Sequence, residues 1–160
     1  KPFNPVKYGF ITIDSSEPMI DKRSAESAFI QDPKCYFISN TKDMKKGFIK
    51  FDLGNNVHFK PVKLYIDSRA VYVRHEMNAM KERNKFDLRS RISKVKLTIN
   101  NNESSNSVVF EIPDPVNPSE IDFPIKEQPF SSATFEIEKT NKGTDVFRIT
   151  TLEVIGDFEL

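Results

Sequence analysis

The segment that most constrains the fold is GFIKFDLGNNVHFKPVKLYI, residues 47–66, in which turn residues separate two alternating apolar patterns. Alternation at every second residue is typical of a half-buried β-strand. Gly54-Asn55-Asn56 supplies residue types that favour a turn between two such strands. The segment therefore predicts a β-hairpin. Its predicted core-facing side chains are Ile49, Phe51, Leu53, Val62, Leu64 and Ile66.

Short alternating segments, with turn signals about every ten residues, continue through most of the chain. Within residues 146–154 the apolar positions change face between Ile149 and Leu152, which predicts a bulge near Thr150. Residues 75–84 are rich in helix formers and predict one or two helical turns. These patterns predict an all-β sandwich or jelly roll of about eight antiparallel strands, with one short helical segment in a long loop.

Length and composition favour one globular unit. The chain has 160 residues, of which 38% are hydrophobic, so we expect residues 1–160 to form a single domain. It begins at Lys1 rather than Met, which predicts a domain excised from a larger protein. No apolar run approaches the roughly 18 residues of a membrane-spanning helix, and no signal peptide is visible. Cys35 is the only cysteine, so the chain has no disulfide framework. This favours an intracellular, reducing compartment, or a core large enough to be stable without disulfides.

Charge is distributed unevenly although the formal net charge is only +1. Residues 74–96 carry eight cations and three acids, whereas residues 111–160 carry eleven acids and four cations. One interpretation is structural, because neighbouring strands often carry complementary charges. The other is functional: a basic surface that binds an acidic partner.

No catalytic constellation is present in the sequence. The five glycines are isolated at turn positions, so no glycine-rich phosphate loop exists. His58 and His75 lie in separate predicted loops and are better explained as exposed histidines than as metal ligands. The sequence therefore predicts a protein that is not an enzyme, with no cofactor and no metal. Nucleic acid is a disfavoured ligand, because loop aromatics are sparse and the C-terminal region is acidic.

Three segments in the same order resemble discoidin-type domains of the galactose-binding-like superfamily. They are residues 47–66, RISKVKLTINNNESSNSVVFEI at 91–112 and ITTLEVIGDFEL at 149–160. The resemblance implies a jelly roll whose extracellular members bind sugars or anionic lipids, and whose intracellular relatives bind proteins. Family members that bind calcium place a Glu in the final strand, where this chain has Thr151, so a calcium site is not expected. The Trp common in the family is also absent.

Residues 69–91, called here the basic connection, form the predicted binding site. In the resembled fold this connection lies among the ligand-binding loops at one end of the sandwich. Arginine in particular can bind a carboxylate or phosphate through two hydrogen bonds. The competing interpretation is a solvated charged loop. The predicted partner-binding residues are Arg69, Arg74, His75, Asn78, Arg83, Asn84, Lys85, Arg89 and Arg91.

Two functions are compatible with these residues. The first is a non-catalytic module of a larger protein or complex that binds a protein partner with an acidic surface. The alternative is a lectin-like, carbohydrate-binding domain whose partner is a glycan. A sugar site needs an aromatic platform beside convergent polar groups. The aromatic residues in or beside candidate loops are Tyr36, Phe37, Tyr72 and Phe86.

Overall fold

The structure is a computed structural model that describes residues 12–15, 37–40, 47–54, 56–68, 91–113, 118–126, 128–140, 146–149 and 151–159. The described residues form strands and connecting segments, with no helix among them. The helical turns predicted for residues 75–84 lie outside these ranges. The strands are Thr12–Ser15 (β1), Phe37–Asn40 (β2), Phe48–Asp52 (β3), Phe59–Asp67 (β4), Ile92–Asn100 (β5), Ser105–Glu111 (β6), Ser119–Asp122 (β7), Ser132–Thr140 (β8), Val146–Ile149 (β9) and Thr151–Phe158 (β10).

The strands form an antiparallel β-sandwich, as the alternation predicts, with ten described strands rather than about eight. A five-stranded sheet has the order β1-β3-β8-β5-β6, a three-stranded sheet has the order β10-β4-β7, and β2 pairs with β9. Every described pairing is antiparallel. Apolar side chains of both larger sheets join one buried cluster. No described helix has the length and hydrophobicity that crossing a bilayer requires.

The predicted hairpin of residues 47–66 is wrong, although its two strands exist. β3 pairs with β1 and β8, whereas β4 pairs with β10 and β7 in the other sheet. Residues 53–58 therefore cross from one layer of the sandwich to the other. The alternation shows only that both strands have one buried face. Strands that lie side by side and strands that face each other across a core produce the same pattern.

The inward position predicted for Val62 is also wrong. Leu64 and Ile66 are buried as predicted, but the side chain of Val62 is 45% exposed. The β4–β10 register changes here, because Ile155 lies opposite Lys63 and the next residue, Gly156, lies opposite Pro61. Val62 is the extra residue of this β-bulge. One extra residue shifts the alternation of side chains, so the residues before the bulge point to the opposite face from the one that the pattern after it predicts.

Within residues 146–154 the apolar side chains change from one face of the chain to the other, and the cause is not the predicted bulge. The segment contains two strands, since β9 pairs with β2 and β10 pairs with β4. Ile149 and Leu152 are both buried because each lies in a separate strand that packs on the common core. A switch between sheets produces the same change of parity as one extra residue.

The strand directions define two ends of the sandwich. Asp52 and Asn100 both pair with Ser132, and Phe59 pairs with Phe130, so residues 53–58 and 101–104 turn at one end. We call this the turn end. The basic connection leaves after β4 and returns before β5 at the opposite end, called here the connection end.

The charge imbalance of the sequence is partly resolved within the five-stranded sheet. Lys96 of β5 lies opposite Glu136 of β8, and Lys94 lies between Glu111 of β6 and Lys139 of β8. Opposite charges at such cross-strand positions stabilise a sheet modestly. These two lysines therefore support the structural interpretation of the basic region, and the binding hypothesis applies to the cations of the connection itself.

An exposed ion pair gives a pH prediction. The Nζ of Lys63 lies 2.6 Å from Oδ1 of Asp122, and this hydrogen bond, reinforced by charge attraction, lowers the pKa of Asp122. The Asp122 carboxyl should therefore titrate below the usual range of an aspartate, and its stabilising effect should be lost as the pH falls through that lowered pKa. NMR titration of the carboxyl carbon measures this. Lys63→Met should return the Asp122 pKa toward its ordinary value, and an unchanged pKa would contradict the pairing.

Candidate functional site

The connection end is held together where the basic connection begins and ends. Asp67 and Ser68 are buried at the end of β4. The backbone N–H of Ile92, the first residue of β5, donates to Ser68 Oγ at 3.4 Å. The residues on either side of the basic connection, Ser68 and Ile92, are thus held close to each other at the connection end.

Of the nine predicted site residues, Arg91 lies within the described part of the chain. It is half-buried immediately before β5, at the connection end. The other eight predicted residues are outside the described ranges: Arg69, Arg74, His75, Asn78, Arg83, Asn84, Lys85 and Arg89. Their participation in a site stays a prediction.

The β2–β9 pair brings an aromatic position to the same end. Phe37 of β2 lies opposite Ile149 of β9. Ile149 is two residues before Thr151, which pairs with Asp67 at the connection end. Two residues span no more than about 7 Å. With the two strand-to-strand steps of about 5 Å each added, the backbone of Phe37, one of the aromatic candidates, lies within about 17 Å of Asp67 at the connection end. Tyr36, Tyr72 and Phe86 lie outside the described residues.

A polar pocket of about 300 Å³ lies at the turn end. Its lining residues come from four separate segments of the chain, namely His58, Asn101, Asn102, Glu103, Pro129 and Glu159. The β5–β6 turn is ordered by Asn101, whose Oδ1 accepts hydrogen bonds from the backbone N–H groups of Glu103 and Ser104, both at 2.9 Å. The backbone N–H of Glu159 donates to the carbonyl of His58 at 2.8 Å, which positions the last lining residue.

The sequence interpretation did not identify this pocket. Only His58 was considered, as an exposed loop residue, and it is half-buried in the structure. Amides, carboxylates and an imidazole can hydrogen-bond to a hydroxylated ligand. The lining residues include no Phe, Tyr or Trp, the side chains that form a platform for a sugar ring. The pocket residues are far apart in the sequence and belong to no motif. No local sequence pattern could therefore have identified them.

The described residues contain no candidate metal-binding site. No group of three or more His, Cys, Asp or Glu side chains among them is arranged to hold a metal ion. Thr151, the position that corresponds to the family's calcium-binding Glu, is buried at the start of β10.

Solved structures of known proteins match the architecture of this chain over nearly its whole length. No protein-family model and no curated protein matches the sequence. Among solved structures, the family 32 carbohydrate-binding module of Clostridium perfringens NanJ, in complex with galactose, is 13% identical with a TM-score of 0.68. The match covers 97% of this chain and 99% of that chain. An F5/8 type C domain of a Bacteroides fragilis protein gives 5% identity and a TM-score of 0.65, over 92% and 91% of the two chains.

The chain has a discoidin-type fold. A third similar structure is the family 32 module of AlyQ in complex with 4,5-unsaturated mannuronic acid, at 12% identity and a TM-score of 0.58 over 89% of this chain and 92% of that one. At such identities the likeness establishes the architecture and does not transfer any ligand. The resemblance of the three sequence segments to discoidin-type domains is confirmed at the level of fold.

Proposed function

We propose that this discoidin-type domain is a non-catalytic carbohydrate-binding module. The observation that carries the proposal is the match over nearly its full length to modules that hold a sugar, galactose in one and an unsaturated mannuronic acid in another. The alternative of the sequence interpretation, a lectin-like domain, thus has more support than its leading hypothesis of a protein partner. Saturable binding of an acidic protein, and of no glycan, would favour that protein-partner hypothesis instead.

The proposed ligand is a glycan that carries carboxylates, bound at the connection end. The basic connection contains seven arginines and lysines against three acids. Arginine and lysine favour carboxylate groups through charge-assisted hydrogen bonds. Phe37, paired with Ile149 in the β2–β9 ladder, is an aromatic residue of the kind that packs against sugar rings, and it is included in the proposed site.

The test is binding of the 160-residue chain to an array of neutral galactosides and uronate oligosaccharides, followed by calorimetry on the strongest ligand. Arg83→Glu combined with Lys85→Glu should weaken binding of a uronate at least about tenfold, equivalent to about 1.4 kcal/mol. A matched control, Lys60→Glu with Lys126→Glu, makes the same change of net charge at two exposed lysines of strand β4 and the segment after β7. This control should bind normally.

Three results would change the proposal. Absence of saturable binding to every glycan would exclude the carbohydrate function. Equal losses in the variant and its control would indicate nonspecific charge attraction. Loss of binding on replacing Asn102 and Glu103 with alanine, with the basic connection intact, would move the sugar site to the pocket at the turn end.

A further inference from the structure

We propose that strand β6 is a self-association edge, at which two copies of this chain pair antiparallel and join their five-stranded sheets. β6 is the last strand in the order β1-β3-β8-β5-β6, and among the described residues it pairs with β5 alone. The proposal depends on the geometry of this edge and is independent of the glycan function.

The hydrogen-bond pattern shows which backbone groups of β6 face outward. Asn101 N donates to Ser104 O at 3.0 Å, and Ile112 N donates to Ser93 O at 2.8 Å. Along an antiparallel ladder, residue pairs that exchange backbone hydrogen bonds alternate with pairs that do not. The even-numbered residues of β6 therefore bond to β5. The N–H and C=O groups that point away from the sheet belong to Ser105, Ser107, Val109 and Glu111.

β6 lacks the features that natural proteins use to protect a sheet edge. Such edges are usually short, bulged or interrupted by lysine or proline. The β6 sequence SNSVVFE has neither residue, and its register with β5 is continuous over seven pairs. Val109, at 49% exposure, presents an apolar side chain at the edge. By contrast, the other outer strand of the same sheet, β1, has only four residues.

Self-pairing about Val108 gives a compatible register. It places Val108 opposite its copy, Ser107 opposite Val109, and Glu111 opposite Ser105, so no like charges face each other. The half-buried ring of Phe110 lies opposite Asn106 in this arrangement, on the side of the core. Cross-strand apolar contacts of this kind stabilise a sheet, whereas directly opposed like charges destabilise it.

Neighbouring registers are less favourable, which supports a second copy of the chain as the occupant. A shift by two residues in one direction places Glu111 opposite Glu103 of the β5–β6 turn. The same shift in the other direction places Pro113, which has no N–H, opposite Ser105. A two-fold pairing uses the same surface in both copies and therefore closes as a dimer. Because the contact is limited to one strand of seven residues from each copy, the dimer should be weak.

Sedimentation equilibrium of the wild-type chain tests the inference. The apparent mass should rise from 18.5 kDa toward twice that value as the concentration increases. Val109→Pro removes an outward-facing N–H without removing a hydrogen bond to β5, and it should abolish the rise. Val109→Lys, which places a charge on the edge, should do the same.

Val62→Lys is the matched control for the second variant. Val62 is 45% exposed, close to the value for Val109, but it lies in β4, the middle strand of the three-stranded sheet. This control should dimerise like the wild type. The inference is overturned if the wild type stays monomeric at every concentration, if it grows beyond a dimer, or if folded Val109→Pro and Val109→Lys variants still dimerise.

Discussion

Replacing Phe51 with alanine is expected to lower the free energy of unfolding by about 3–5 kcal/mol. The ring is fully buried in β3. It meets Phe130 edge-on at a centroid distance of 5.6 Å and stacks on Phe135 at 6.1 Å. Truncation removes these contacts and leaves a cavity in the centre of the core, because neighbouring side chains refill such a space only partly.

Loss of the Phe51 ring is expected to weaken the contact between the two larger sheets. Phe130 also contacts Phe59 of β4, at 5.8 Å, so the aromatic cluster joins the five-stranded sheet to the three-stranded sheet. A loss of 3–5 kcal/mol is comparable with the roughly 5–15 kcal/mol total stability of a typical domain. Urea denaturation followed by circular dichroism measures it. The exposed control Val109→Ala should change stability by less than about 0.5 kcal/mol, and an equally small loss for Phe51→Ala would place Phe51 outside the core.

The second large effect is expected for Gly156→Ala, with a loss of about 3 kcal/mol. A Cβ atom at Gly156 would overlap the carbonyl oxygen of Lys60 and lie 2.8 Å from Cα of Pro61. Both obstacles are backbone atoms of β4, so they cannot rotate away as a side chain would. The added methyl group should force β4 and β10 apart at the bulge, with a clear fall in the thermal midpoint.

Gly54→Ala separates this steric effect from the general effect of losing a glycine. Gly54 has a φ angle of 94°, but no atom lies within 4 Å of the position that its Cβ would take. Its replacement therefore carries only the strain of a positive φ, about 1–2 kcal/mol. If Gly156→Ala is no more destabilising than Gly54→Ala, the close approach of β4 and β10 is not the cause of the stability loss at Gly156.

The proposed glycan site and the proposed dimer edge occupy different parts of the sandwich. The ligand is proposed to bind at the connection end, whereas β6 lies along the side of the five-stranded sheet. A dimer would therefore present two glycan sites from one assembly. Two linked sites strengthen binding to a glycan surface without any new contact, provided that both can reach it together.

Much of the strand content was predictable because burial of alternate side chains leaves a direct trace in the sequence. Ile49, Phe51 and Leu53 are buried as predicted. The same alternation is present in β8, where Ala133, Phe135 and Ile137 are buried. The polar turn between β5 and β6 also follows from its residues, because Asn101 orders it with its own side chain. These are local relationships between residues a few positions apart.

The all-β class, most inward faces and the order of segments typical of discoidin-type domains could be predicted from the residues alone. The three-dimensional arrangement was needed to show that β3 and β4 belong to different sheets, that residues 146–154 contain two strands, and that Val62 is bulged outward. It also decided which residues meet at the turn-end pocket and that β6 lies at an edge. The physical reason is that alternation records whether a side chain is buried, while strand pairing depends on backbone hydrogen bonds that every residue type can make.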